Sequence, residues 1–170
     1  MNKAIIRDAN VYHNGQSTHG FAKEIALPEI NPTKSDYSAL GMIGTSKVFK
    51  GFDAMEMSIK WSAPEDNIIT SSMNPFSNVD LMIRASREVS DATGVVDQQP
   101  VAYYVKGSPA GGTFGTLKQK EDNELETKID ITYFKMVQNG KVLFELDIEN
   151  NIYIVDGVDL LQDYRNNLGL

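Results

Sequence analysis

Two long alternating segments joined by Asn139-Gly140 constrain this chain most, because they force a β-hairpin into its last third. Asn and Gly tolerate the positive φ of a type I′ turn, whose twist matches that of the flanking strands. Beyond the turn, Val142, Phe144, Leu146 and Ile148 fall on one face; Lys141, Glu145, Asp147 and Glu149 fall on the other. That is the pattern of a half-buried strand. A short helix is expected after it, over about Val158 to Leu168, stacking Leu161, Tyr164 and Leu168 at spacings of three and four. Asp156 stands where a cap belongs.

The chain has 170 residues, enough for one domain (residues 1–170) to bury roughly 70% of its unfolded surface. It contains no cysteine, so neither a disulfide framework nor thiolate chemistry is available. No apolar run approaches the ~20 residues that span a bilayer, and no signal-peptide pattern opens the chain, so no membrane insertion is expected. The formal charge of −7 argues against a surface that grips phosphate backbones, although many ordinary soluble proteins are as acidic.

Other strands follow the same logic. Ile5 to His13 runs into Asn14-Gly15, and Ser17 to Ile30 leads back out, with Pro28 and Pro32 marking departure from pairing. Asn31 to Lys47 shows little alternation and reads as a long excursion, a length usually functional or disordered. Met55, Met57, Ile59 and Trp61 then alternate with Glu56, Ser58 and Lys60. Ser62-Ala63-Pro64-Glu65 is a helix start with Ser62 as cap, and Ile68, Ile69, Ser72 and Met73 form its inner stripe. Val79 to Val89 and Pro100 to Lys106 read as strands joined through Asp91-Ala92-Thr93-Gly94. Gly107 to Glu126 reads as a second excursion, with Gly111-Gly112 at a flexible tip. The expectation is six or seven strands and one or two short helices in an antiparallel sheet closed or packed on itself.

Chemistry finds little support. With a two-residue Asn14-Gly15 loop, His13 opposes Gln16 and His19 opposes Asn10, which sends the histidines to opposite faces. They cannot share a metal. No G-x-S-x-G, Walker or H-E-x-x-H motif occurs, and no carboxylate pair stands out. No catalytic residue, metal or cofactor is assigned, and an enzyme is not expected. Several strands instead carry a mixed second face: Ala22, Glu24 and Ala26; Glu56, Ser58 and Lys60; Lys128, Asp130 and Thr132. Periodicity leaves two readings of it, ordinary solvent exposure or the wall of a channel.

Segments spread over the whole chain resemble the major tail tube proteins of contractile-tailed bacteriophages. NVYHNG followed by GFAKEIALPEI is similar to that family's first hairpin, YSALGMIG to its Gly-Met-x-Gly loop, and MEMSIKW to its strand ending in Trp. KQKEDNELETKI precedes a terminal block with YF-x₅-NGK, DGVD and R-x-N-x-GL. The match is loosest over Ile68 to Pro109.

The resemblance implies a mainly β, antiparallel sandwich or barrel-like tail tube fold, with four strands of each subunit in a ring-shaped inner barrel. Six subunits would form a ring, and rings would stack into a hollow tube inside a contractile sheath, a conduit for genome delivery. Leu40, Gly41, Met42, Ile43 and Gly44 would form the loop reaching the adjacent ring, mobile in a free subunit over Asn31 to Lys50. Glu24, Glu56, Lys60, Lys128 and Asp130 would face a lumen through which DNA passes without specific binding. Implied partners are further copies of the chain, a sheath protein, a tape measure, a baseplate hub and a tail terminator. Synthesis in the host bacterial cytoplasm and residence in the virion follow. A headless bacteriocin or type VI secretion tube would use nearly the same architecture without DNA. A carbohydrate-binding β-sandwich or small glycosidase is the alternative of another class, and it should show clustered exposed aromatics.

Overall fold

Alternation divides the chain between one forked antiparallel sheet and one detached hairpin. The computed structural model describes residues 2–121 and 123–170. In chain order the elements are β1 (Lys3–His13), β2 (Gln16–Ser17), β3 (Ala22–Ala26), β4 (Pro32–Tyr37), β5 (Ser46–Phe52) and β6 (Met55–Trp61). There follow α1 (Asp66–Ser72), β7 (Val79–Asp91), β8 (Gly94–Thr113), β9 (Leu125–Gln138) and β10 (Lys141–Asp147). The chain finishes with β11 (Ile152–Val155), β12 (Val158–Asp159) and α2 (Gln162–Leu168). Neither helix is long and apolar enough to cross a membrane.

The hydrogen-bonded order is β12-β11-β10-β9-β8-β7-β1-β2, antiparallel throughout and not closed into a barrel. β9 is where the sheet divides. One of its edges pairs with β8; the other pairs with β6 over Leu125–Ile131 and with β10 over Tyr133–Gln138. At the fork the Ile148 N–H donates to the Thr132 carbonyl at 3.0 Å. β6 then pairs with β3, which has no strand on its far side among the described residues.

The core follows from the period of two. Met55, Met57, Ile59 and Trp61 on β6, with Leu125, Ile129 and Ile131 on β9, meet Val11, Val79, Leu81, Ile83 and Val105. Trp61 is fully buried, and its indole N–H donates to the Thr127 hydroxyl at 2.9 Å, so the one polar atom of the ring is satisfied. Each such side chain contributes about 1.5–3 kcal/mol on leaving water. Trp61 is therefore a core residue.

Of the two-residue hairpin loops among the described residues, three have positive φ at both positions: Asn14-Gly15 (47° and 82°), Asn139-Gly140 (49° and 77°) and Asp156-Gly157 (51° and 82°). Only type I′ geometry has that signature. Asp156 is thus a turn residue and not the cap of the last helix, which begins at Gln162 without a side-chain cap. Val158 and Asp159 pair with β11 instead of opening that helix.

Other expectations need correction. The segment read as an irregular excursion, residues 31–47, contributes β4 and the start of β5, paired from Pro32↔Phe52 to Tyr37↔Ser46. Its strands are solvated on both faces, so no alternation marks them. The second excursion shrinks to residues 114–124, because β8 runs on to Thr113. Gly111-Gly112 is no loop tip: a Cβ on Gly112 would lie 2.2 Å from the Glu126 carbonyl oxygen, and one on Gly107 would lie 2.0 Å from that of Asp130. These glycines let two backbones approach closely. Ser62 does not cap α1, which starts four residues later, although Ile68 and Ser72 are buried as expected. A bulge at Leu143 puts Val142 opposite Val137, and so on the face away from Phe144 and Leu146. Ile148 lies beyond the end of β10 and is exposed.

His13 opposes Gln16 as expected, but β2 ends at Ser17, so His19 pairs with nothing on β1. His13 is buried, with its Nε2 3.2 Å from the Ser71 hydroxyl, and burial lowers its pKa. The folded protein then binds this proton less readily than the unfolded chain, whose histidine titrates at about 6.5. Stability is full above that value and declines as pH falls through it toward the lowered folded pKa. Thermal unfolding between about pH 7 and 5 should show this decline, and His13→Gln should flatten it; equal slopes in both proteins would contradict the assignment.

Candidate assembly surfaces

Directly opposed residues share a face of a sheet. The register Glu24↔Lys60 between β3 and β6 therefore aligns these two side chains, and Glu56↔Asp130, Ser58↔Lys128 and Lys60↔Glu126 do the same between β6 and β9. All five residues expected at a lumen come together on the face away from the core. On β8, Ser108 opposes Asp130 and extends that face to a fourth strand. Two ion pairs cross it, Lys60–Glu24 at 3.0 Å and Lys128–Glu56 at 3.6 Å. The Glu24 hydrogen bond and charge raise the Lys60 pKa, and both partners stay in water. Exposed pairs of this kind add little stability. Their effect is to mix signs on a surface that Glu126 and Asp130 keep acidic.

This charged four-strand run, β3-β6-β9-β8, has two open sides. β3 pairs only with β6, and β8 beyond Gly107 has no partner on the side away from β9 among the described residues. Open strands present unpaired N–H and C=O groups and invite another chain.

A second surface is the β4–β5 arm. Its tip carries Leu40, Gly41, Met42, Ile43 and Gly44, and both Leu40 and Ile43 are fully in solvent, at 106% and 110% of their reference exposure. Gly41 sits at φ +89°, and the Met42 N–H closes a turn on the Ala39 carbonyl at 3.1 Å. The root is fixed by aromatics. Phe49 meets Phe52 edge-on (5.3 Å between centroids), Phe52 meets Tyr153 (5.0 Å), and Tyr153 meets Phe144 (5.7 Å). Phe134 and Tyr103 continue the run into β9 and β8.

The third surface is C-terminal, and sequence reasoning placed it only loosely. Asp159 accepts from the Leu161 N–H at 3.1 Å and pairs with the Arg165 guanidinium, which also donates to the Asn151 carbonyl at 2.8 Å. The hydrogen bond from Arg165 holds the Asp159 carboxyl below its usual range. Gly169 ends α2 at φ +75°, its N–H bonding the Asn166 carbonyl while Leu170 N–H bonds that of Arg165. These two bonds form a Schellman motif. The DGVD and R-x-N-x-GL strings are therefore a turn, a pinned helix and its stop. Tyr164 and Leu168, which helical spacing stacks with Leu161, are exposed together with Leu160 and Leu170.

A fourth projection joins the N-terminal half of β1 to the β7–β8 hairpin, with Ile5, Ile6, Val95 and Val96 exposed. Arg7 pairs with the buried carboxylate of Glu88, its Nε 3.0 Å from one oxygen and a terminal nitrogen donating to the other at 3.3 Å. Among the described residues, no three His, Asp or Glu side chains converge as a metal site would require.

The chain belongs to the phage tail tube protein FII family, whose model matches residues 3–169. It is 34% identical over 165 residues to the tail tube protein of Escherichia phage P2, covering 95% of this chain and 94% of that one. The fold is also similar to a sheath/tube terminator of an extracellular contractile injection system in its extended state. That match has a TM-score of 0.57 at 11% identity over 78% of this chain and 95% of the other. The protein is accordingly a structural component of a phage tail, not an enzyme.

If the aromatic run is what holds the arm, Phe52→Ala should free it selectively. Amide exchange over 33–51 should accelerate while β6 and β9 keep their protection. Unchanged exchange in the arm would assign its anchoring elsewhere.

Proposed function

We propose that this chain forms six-subunit rings that stack into a hollow tube inside a contractile sheath, and that the tube conducts the phage genome. The observation that carries the reading is the pair of open strands flanking the charged sheet. β3, β6, β9 and β8 alternate in direction, so β3 of one subunit set beside β8 of the next continues the antiparallel order. A head-to-tail contact of this kind closes into a ring when its rotation permits. Six copies would give a barrel of two dozen strands, with a backbone radius of roughly 22–26 Å at ordinary strand spacing and tilt. Closure removes both open sides at once.

In this arrangement Glu24, Glu56, Lys60, Lys128 and Asp130 line the channel. Like charge keeps a phosphate backbone from sticking, and the interspersed lysines moderate the field. The arm tip reaches the adjacent ring. The sheath, tape measure, baseplate hub and tail terminator meet other parts of the assembled tube, and synthesis takes place in the host cytoplasm. The phage relative supports DNA passage over use in a secretion or bacteriocin particle.

Sedimentation and microscopy across a concentration series should reveal rings and tubes. Deleting Ser38 to Ser46 should preserve the fold and the rings but stop tube growth; long tubes from the shortened protein would overturn the role of the tip. Glu24→Lys with Glu56→Lys should still assemble, yet bind DNA in a salt-dependent manner and slow its ejection. Normal ejection from such particles would place both residues outside the channel.

A further inference from the structure

The arm leaves a complementary pair of surfaces on every copy. At its root an open groove of about 400 Å³ lies between β5 and α2, lined by Phe49, Phe52, Ile148, Leu161 and Tyr164. At its tip, Leu40, Met42 and Ile43 project into solvent. The tip cannot fill the groove of its own chain: six residues of strand at ~3.3 Å each hold it roughly 20 Å beyond the root. Charge follows the same division. The arm carries Lys34, Lys47 and Lys50 against Asp36, in a protein of net charge −7. None of these lysines has an ion-pair partner among the described residues. Asp147 in the groove wall, and Glu149 and Asp163, each next in sequence to the wall residues Ile148 and Tyr164, lack one as well among the described residues, and at the groove they stand against Lys50 alone.

We propose that the arm tip of one copy docks in the groove at the arm root of another, burying Leu40, Met42 and Ile43 against Ile148, Leu161 and Tyr164. Lys34 and Lys47 then face Asp147, Glu149 and Asp163. This inference rests on the stacked-ring reading and supplies the site that receives the tip. Tip and groove are different surfaces, so the contact is heterologous and leaves a free tip at one end and a free groove at the other. Growth along one axis follows, each added copy presenting the site for the next. The exposed apolar residues of the tip and of α2 are thereby covered by one contact.

The absence of cysteine makes the test clean. Ile43→Cys and Tyr164→Cys proteins are mixed, assembled and treated with a short bis-maleimide. The mixture should give linked dimers, each variant alone should not, and a protein carrying both changes should give a ladder of multimers. Ile43→Cys mixed with Glu24→Cys should not link. Lys47→Glu should lower linking by up to roughly fivefold, the upper range for one exposed pair, and Asp163→Lys on the groove copy should restore it. If tubes form but the groove pair fails to link, or if the double variant links only within one chain, the docking site is wrong while the tube stands. If no ring or tube forms at any concentration, both readings fall.

Discussion

Backbone hydrogen bonding along β9 is the constraint on which the rest of this structure depends. A strand has two sides, and β9 spends one on β8 and divides the other between β6 and β10. Its first half therefore belongs to the charged sheet, and its second half to the hairpin that supports the arm and α2. Fork, core and projections are thus tied to a single segment. The close approaches at Gly107 and Gly112 show how tightly β8 must follow it, since any Cβ there would overlap a β9 carbonyl.

Two edges of the sheet stay open for separate reasons. Among the described residues β3 ends the branch that β6 opens at the fork, and β7 begins only at Val79, opposite Gly107, so the end of β8 has no strand on the side away from β9. Apolar side chains gather at the tips and edges: Ile5, Ile6, Leu40, Ile43, Tyr164 and Leu168. A protein that worked alone would blunt such edges with charge or cover them. In the proposed ring these edges are left to neighbouring copies.

Much of this was legible in the sequence, for identifiable reasons. Alternation located β6, β7, β9 and β10, because one face of each meets a dry core, and Asn-Gly located two turns. The charged face was legible strand by strand, because alternation sets Glu24, Glu56, Lys60, Lys128 and Asp130 apart from core residues; that they share one face comes only from the register. What escaped has physical causes. The β4–β5 arm is wet on both faces, so it lacks a period. The Leu143 bulge reverses Val142 with no composition signal, and Gly107 and Gly112 look like loop glycines although a neighbouring backbone demands them. Asp156-Gly157 carried the same turn signal as Asn-Gly and was readable. The aromatic run from Phe49 to Tyr103 joins residues distant in sequence, and no local pattern announces it.

The central claim, that the open sides of β3 and β8 are completed by neighbouring copies, is tested most directly by amide hydrogen exchange on dilute and assembled protein. The account predicts that amides over 22–26 and 108–113 exchange quickly in the monomer and become protected on assembly, while those of β6 and β9 change little. Equal exchange at those two edges in both states, in preparations where microscopy shows tubes, would contradict it.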